Sequence, residues 1–435
     1  MVVIDTALEQ RHREGRPVRV GMVGAGYMAR GIALSILQAP PGMKLVAVAN
    51  RTISEAVRVY REAGMEEIVF ADSSDKLGEA LQVGKCAVTD NALLVCEAEG
   101  VDAIIEVTGE IEFGSVVALR AFEFGKHVIL MNAELDATLG PILKVYADRQ
   151  NVVFTNTDGD EPGVAMNLYR FVNSIGYQPV AAGNIKGFID PYRTPDTQRE
   201  FAARHQQKPR MITSFADGTK LSMEATILAN ATGFRVGKRG MYGPRCKDVR
   251  EVAQLLPAEQ LLATGLVDYV LGAEPGTGAF VIGYNTQPAL QQYMRYFKMG
   301  EGPFYVFYTP YHLPHLQLPL SVARAVLFRD PTVTPSGVPR CDVISVAKRD
   351  LRAGEVLDGI GGFTCYGTIE NFEASCEKDL LPMGLSQDCR LVRDIKKDTA
   401  LSYADVVLPE NRVSDRLRSE LLSHFGFRSG LQTPA

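Results

Sequence analysis

Val20-Gly21-Met22-Val23-Gly24-Ala25-Gly26-Tyr27-Met28-Ala29 closes a short apolar run, Val18 to Val23, and opens a helical pattern that continues to Gln38. The spacing Gly24-x-Gly26-x-x-Ala29, placed between a strand and a helix, is that of a dinucleotide-binding turn. Gly24 permits the tight turn, Gly26 lets the backbone approach a pyrophosphate, and Ala29 is small enough for the helix to pack on the strand. The free N–H groups of the first helical turn face the phosphates. The stretch predicts a nicotinamide dinucleotide held by Gly24, Ala25, Gly26, Tyr27 and Met28.

The same alternation continues outward. Lys44 to Ala49, Val101 to Val107, His127 to Met131 and Asn151 to Thr155 read as four further strands, with helical patterns at Ala29 to Gln38, Ser54 to Ala63 and Ser115 to Phe124. Strands alternating with helices predict an α/β fold, a Rossmann-type doubly wound parallel sheet. From about 160 to 335 the pattern loosens into Gly and Pro clusters, with a helical stretch over Ala253 to Val270. Asp330 to Pro339 reads as a linker, and Cys341 onward as a small, mostly β unit. The expected organisation is a dinucleotide-binding domain at 1–157, a mixed α+β catalytic domain at 158–335 and a small C-terminal domain at 336–435.

The end of the second strand bears on which dinucleotide binds. NAD-binding versions carry an acid there for the ribose 2′-hydroxyl. This chain has Ala49-Asn50-Arg51-Thr52. Arg51 beside Asn50 suits a 2′-phosphate, with Thr52 or Ser54 adding hydrogen bonds, so NADPH is the expected cofactor; the other reading leaves Arg51 a solvated surface residue. Thr108, Gly109 and Asn132 end two further strands at the same sheet edge, where open sheets bind ligands. Thr108 and Gly109 are placed at the nicotinamide ribose.

Composition narrows the class. The 435 residues carry 46 basic and 51 acidic side chains, a net charge of −5, against the basic surplus of a general nucleic-acid binder. No apolar run approaches the roughly 20 residues that span a bilayer. Met1 to Pro17 lacks the apolar centre of a signal peptide, so a cytoplasmic protein is expected. Seven cysteines without a CxxC pair fit reduced, buried thiols. A homodimer is the default assembly for an enzyme of this kind.

Three polar clusters follow the dinucleotide region. Thr155-Asn156-Thr157-Asp158-Gly159-Asp160-Glu161-Pro162-Gly163 brings three carboxylates into four positions. They repel unless a divalent cation, a lysine or a helix N-terminus balances them. A helix cap with acidic first-turn residues also accounts for Asp160 and Glu161. Asn184-Ile185-Lys186-Gly187-Phe188 places a lysine among apolar residues, either to polarise a carbonyl or at a strand edge. In Phe215 to Glu224, Asp217-Gly218 signals a hairpin turn. Lys220, Ser222 and Glu224 then alternate on one strand face, as a site wall or a solvated face. Basic residues gather at Lys238-Arg239 and at Arg245 and Lys247, suited to phosphate but without Walker spacing. His312-Leu-Pro-His315 reads as a loop with at most one functional histidine.

These stretches resemble known families. Gly24-Ala25-Gly26, Gly125-Lys126-His127-Val128 and Asn132-Ala133-Glu134 resemble the cofactor domain of homoserine dehydrogenases. Ala347 to Leu357 and Lys397 to Asp405 resemble a SAF-type domain, which homoserine dehydrogenases lack. The whole arrangement, with Thr157 to Gly163 in its middle, is similar to the 1-deoxy-D-xylulose 5-phosphate reductoisomerase-like proteins. The resemblance implies rearrangement of that ketose phosphate to a branched aldehyde, then reduction by NADPH to 2-C-methyl-D-erythritol 4-phosphate, an isoprenoid precursor. It implies a divalent cation, Mg²⁺ or Mn²⁺, on Asp158, Asp160 and Glu161. It implies Lys186 and Lys220 polarising the carbonyl or balancing the acids; with Asp217 and Glu224 from the Phe215 to Glu224 stretch, they are the candidate catalytic residues. Lys238, Arg239 or Arg193 would hold the phosphate of this small phosphorylated sugar. Two other readings stand beside it: a homoserine-dehydrogenase-like enzyme acting without rearrangement, and a non-catalytic NADPH sensor.

Overall fold

The computed structural model describes residues 2–38 and 41–427. By compactness the chain divides into two units, one of Met1–Asp136, Ile142–Asp160 and Leu313–Thr334, the other of Ala137–Pro141, Glu161–His312 and Pro335–Ala435. This differs from the expected boundaries at 157 and 335. Residues 313–334 belong with the dinucleotide-type sheet. The C-terminal segment belongs with the central one, because Cys341 and Ile369 lie in the same apolar core as Val164 and Leu228.

The first unit is the expected α/β fold, a seven-stranded sheet in the order β3-β4-β2-β1-β5-β6-β7. Its strands are β1 (Val18–Val23), β2 (Met43–Ala49), β3 (Ile68–Phe70), β4 (Cys86–Thr89), β5 (Ala103–Glu106), β6 (His127–Leu130) and β7 (Phe154–Asn156). Every neighbouring pair is parallel. Five of the seven strands were expected; β3 and β4 were not. The register lines up Thr89, Ala49, Val23, Glu106, Leu130 and Asn156 along the carboxyl edge. β1 is buried throughout except at Arg19, as a central strand covered on both faces must be. The helix Tyr27–Gln38 packs on it, and the late helix Pro314–Ala323 returns to pack on that helix, Leu318 and Val322 completing the core.

The second unit is built on a mixed four-stranded sheet, order β11-β10-β8-β9. The strands are β8 (Gln178–Lys186), β9 (Leu266–Leu271), β10 (Ala279–Tyr284) and β11 (Phe304–Thr309). β8 and β9 run parallel, while β10 runs antiparallel to both β8 and β11. The helices Glu161–Ser174 and Thr219–Thr232 supply apolar side chains to the same core. Beyond them β12 (Cys341–Ala347) and β13 (Cys365–Asn371) form an antiparallel pair. Thr219 Oγ1 accepts a 2.8 Å hydrogen bond from the Gly367 backbone, tying this pair to the helix.

Two local expectations change. Lys220, Ser222 and Glu224 lie in the helix Thr219–Thr232 and not on a strand. Asp217-Gly218 is the junction of two helices and not a hairpin, with Gly218 at φ 85° as the cap. The helical stretch expected over 253–270 resolves into short helices at Val252–Leu255 and Ala258–Ala263, followed by β9. All seven cysteines are free, five of them buried. Among the described residues, no helix is long and apolar enough to cross a membrane.

Candidate active site

The Gly24-Ala25-Gly26 turn sits at the carboxyl end of β1. Gly24 has φ 114°, and a Cβ there would lie 2.9 Å from the Val107 carbonyl oxygen, so no side chain fits. A Cβ at Gly26 meets nothing within 4 Å, so its backbone faces open space, as a phosphate cradle requires. Tyr27 and Met28 begin the helix. Asn50 folds back to donate a 2.9 Å hydrogen bond to the Thr52 carbonyl, leaving Arg51 exposed at the end of β2.

In the second unit a polar cluster forms where β8 ends. Lys186 is its last residue, and the side chain stays about one-fifth exposed. Its Nζ pairs with Glu161 Oε2 in a very short contact and with Glu224 Oε2 at 3.4 Å. Asn184, one pleat earlier on the same face, donates from Nδ2 to Glu161 Oε2 at 2.8 Å and to Glu224 Oε2 at 3.0 Å. Both carboxylates are almost wholly buried. The alternation of β8 aims Asn184 and Lys186 together, Glu161 comes from the first turn of one helix, and Glu224 from the middle of another. His312 Nε2 stands 3.8 Å from Glu161 Oε1.

The electrostatics divide the labour. Burial pushes the Glu224 carboxyl up to about 8, and the neighbouring Glu161 charge adds to this, while Lys186 and Lys220 act against it. Burial alone would lower the Lys186 ammonium, but Glu161 and Glu224 outweigh it and hold the amine protonated. Near neutrality the cluster is a fixed cation beside a carboxyl that keeps its proton. Such a set can polarise a carbonyl oxygen and supply a proton to it.

Other expected site residues have different roles. Asp217 is consumed by a buried ion pair: its Oδ2 lies 2.8 Å from Lys348 Nζ, and its Oδ1 accepts from the Thr219 backbone at 2.9 Å. Lys348 spends its remaining donors on the Arg193 and Gly362 carbonyls. Asp217 therefore joins chain segments and is not placed for catalysis. Lys220 acts on Glu224, four residues along the same helix, as a charge that lowers its carboxyl value. Ser222 faces elsewhere and donates to the Gly367 carbonyl at 3.3 Å.

The expected cation site does not fit. Asp158 Oδ2 lies 3.1 Å from Arg324 Nη1 and accepts from Thr332 Oγ1 at 3.3 Å, so a guanidinium already balances it. Glu161 is balanced by Lys186. Asp160 is buried, and among the described residues no group of three His, Cys, Asp or Glu is arranged to hold a metal ion. Of the phosphate candidates, Arg239 pairs with Glu370 at 2.8 Å and Arg193 with Asp190 at 3.1 Å. Lys238 is exposed, its Nζ 5.2 Å from the centre of the Tyr242 ring. His312 and His315 do not act as a pair, since His315 packs against Gly31 of the dinucleotide-side helix while His312 faces Glu161.

Comparison with known proteins finds a match over the segment that carries this cluster. Residues 159–318 match the family model described as "Oxidoreductase DRL, catalytic domain". That segment, which contains Glu161, Asn184, Lys186 and Glu224, is of oxidoreductase type. A homoserine dehydrogenase of Methylobacillus glycogenes is 27% identical over 126 residues, 28% of this chain and 27% of that protein. The chain thus matches only about a quarter of the length of that curated relative. Among solved structures, apo scyllo-inositol dehydrogenase from Lactobacillus casei aligns with TM-score 0.42 at 12% identity, covering 72% of this chain and 89% of that one. An NAD-binding oxidoreductase from Klebsiella pneumoniae aligns with TM-score 0.27 at 17% identity, covering 40% and 43%.

Asn184 and Arg324 were not singled out in the sequence. Asn184 carried a usable signal, a polar residue two positions before Lys186 in an otherwise apolar strand. Arg324 pairs both with Asp330, six residues on, and with Asp158, 166 residues away, and the second pairing carried no signal.

Proposed function

We propose that this protein uses NADPH to reduce the carbonyl group of a small phosphorylated sugar. In the finer form of the reading, 1-deoxy-D-xylulose 5-phosphate is rearranged to a branched aldehyde phosphate and reduced to 2-C-methyl-D-erythritol 4-phosphate. The observation that supports it is Lys186, a protonated amine open on one side and braced by Glu161 and Glu224. When bound, the dinucleotide supplies the hydride. Carbonyl, hydride and one proton give the alcohol, so the protein must supply the proton. Lys186 draws electron density onto the substrate oxygen, and the protonated Glu224 holds the proton that the oxygen finally receives through the amine. Asn184 keeps the two carboxylates aligned. The rearrangement needs the same positive group beside adjacent oxygens, and here it is an ammonium; Asp158 and Arg324 form a separate closed pair. Lys238 is the phosphate contact in this reading, and a cytoplasmic homodimer is the assembly it carries.

The test is a turnover assay. Purified protein with NADPH and 1-deoxy-D-xylulose 5-phosphate should lose nicotinamide absorbance, and the product should carry the branched carbon skeleton by NMR. A second reading, a dehydrogenase acting on a hydroxy acid or polyol without rearrangement, is favoured by the homoserine dehydrogenase match. Oxidation of such an alcohol with NADP⁺, and no reaction with the ketose phosphate, would select it.

A further inference from the structure

The carboxyl edge of the first sheet holds a buried acid that the function above does not use. Glu106 ends β5 and is fully buried. One oxygen accepts a 2.8 Å hydrogen bond from the Thr108 backbone and a very short one from the Thr108 hydroxyl. The other accepts from Asn132 Nδ2 at 2.7 Å. Asn132 also donates to the Glu110 carbonyl at 3.1 Å and caps the helix Ala133–Arg149 by accepting from the Leu135 backbone at 3.0 Å. Gly114 closes the remaining side: a Cβ there would lie 3.1 Å from Asn132 Nδ2 and 3.2 Å from Glu106 Oε2.

A buried polar group ordinarily finds partners, so the hydrogen bonds alone assign nothing. The choice of side chain does. An amide cannot accept from three donors with both of its terminal atoms, whereas a carboxylate can, at a desolvation cost. Burial pushes Glu106 up to about 7; its bonds to Thr108 and Asn132 pull the other way, and Glu134 raises it further. Its neighbours across the sheet, Val23 and Leu130, are uncharged, the helix Ile111–Glu123 meets it at Gly114, and the Glu110 side chain is exposed. Of the two residues it grips, Thr108 was placed at the nicotinamide ribose, and Asn132 follows the next strand at the same carboxyl edge of the sheet.

We propose that Glu106 is a positioning residue for hydride transfer: without touching the dinucleotide, it fixes Thr108 and Asn132 at the nicotinamide end of the site. The inference rests on the dinucleotide reading and not on the identity of the substrate. Protonation of Glu106 removes acceptor capacity toward Thr108, so the loop 107–110 loosens as pH falls.

The test reads the bound nicotinamide itself. Full-length protein is saturated with NADPH and the fluorescence amplitude of the bound cofactor is followed from about pH 5.5 to about pH 8.5. Wild type should show a transition near the Glu106 value, bright above it. Glu106→Gln should hold the dim acid-side amplitude at every pH, with NADPH affinity within about threefold and any turnover lowered about 10- to 100-fold. Thr108→Val, which removes only the hydroxyl, should dim the amplitude partway, and the double variant should match Glu106→Gln and not add to it. Amplitudes and pH transitions like wild type in both variants overturn the proposal, as do additive effects. Failure of wild type to bind NADPH overturns the dinucleotide reading and this proposal together, and it shows without any variant. Failure to turn over the ketose phosphate leaves the fluorescence readout intact and counts only against the substrate.

Discussion

Glu106 and Glu161 are both buried carboxylates at strand-end clusters, one in each unit, and they are satisfied in opposite ways. Glu106 is held by backbone, hydroxyl and amide donors. Glu161 pairs with Lys186 and leaves that amine partly exposed. Three residues before Glu161, Asp158 takes a third course, closed against Arg324 with both side chains buried. An acid held by neutral donors fixes a loop, an acid sealed by a buried guanidinium fixes the fold, and an acid that braces an open lysine leaves charge available to a ligand. Exposure of the cation, and not the number of carboxylates, separates the site from its surroundings.

Breaking the open pair should have the largest effect. Lys186→Met should lower kcat about 10³-fold, roughly 4 kcal/mol of barrier, with NADPH affinity retained; steady-state rates with a parallel fluorescence titration check this. A fall below about tenfold would return Lys186 to a strand-edge role. Breaking the closed pair should cost stability instead. Arg324→Met strands Asp158 and should destabilise the first unit by about 3 kcal/mol in urea unfolding, with most of it restored in the Arg324→Met, Asp158→Asn double variant.

The third prediction sharpens the donor-only case. Glu106 and Asp136 are both raised to about 7 by burial. Between the ordinary carboxyl value and about 7 the folded state binds more protons than the unfolded one, so their contribution to stability is full at acid pH and is lost as pH rises through about 7. Unfolding free energy should drop by about 1 kcal/mol per group from about pH 6 to about pH 8. Glu106→Gln should remove its share, measurable by urea midpoints at the two values. The smallest effect belongs to an exposed cation. Arg51→Gln should weaken NADPH about tenfold, leave NADH unchanged, and so erase the preference between them in competition titrations.

The sequence made the first sheet readable because its turn combines two glycines, a small residue and an apolar strand, a pattern with one structural solution. β3 escaped because it is a three-residue edge strand, half-buried or exposed along its length, and β4, Cys86–Thr89, offered a short apolar run no longer than β5 or β6 that was not singled out. Lys186 was legible as a cation in an apolar strand. Glu224 was named as a site residue but on the wrong element: Lys220, Ser222 and Glu224 alternate with period two, yet Lys220 and Glu224 also stand at helical spacing. The run to Ala231 ahead of Gly233 marks that helix. Glu106 was hidden in plain view as one acid closing Ala103-Ile104-Ile105, where a strand pattern suggests nothing beyond burial. Arg324 and Lys348 were not legible as buried cations, since the carboxylates that hold them inside the fold, Asp158 and Asp217, lie more than a hundred residues away, although Arg324 also pairs with the nearby Asp330.

The account turns on Lys186 as the group that polarises the substrate carbonyl. Single-turnover mixing of the protein–NADPH complex with 1-deoxy-D-xylulose 5-phosphate, followed by nicotinamide absorbance, tests this most directly in wild type and Lys186→Met. The account predicts rapid oxidation in wild type and almost none in the variant at equal NADPH occupancy. Equal rates in the two proteins, or no oxidation by wild type with its NADPH bound, would contradict it.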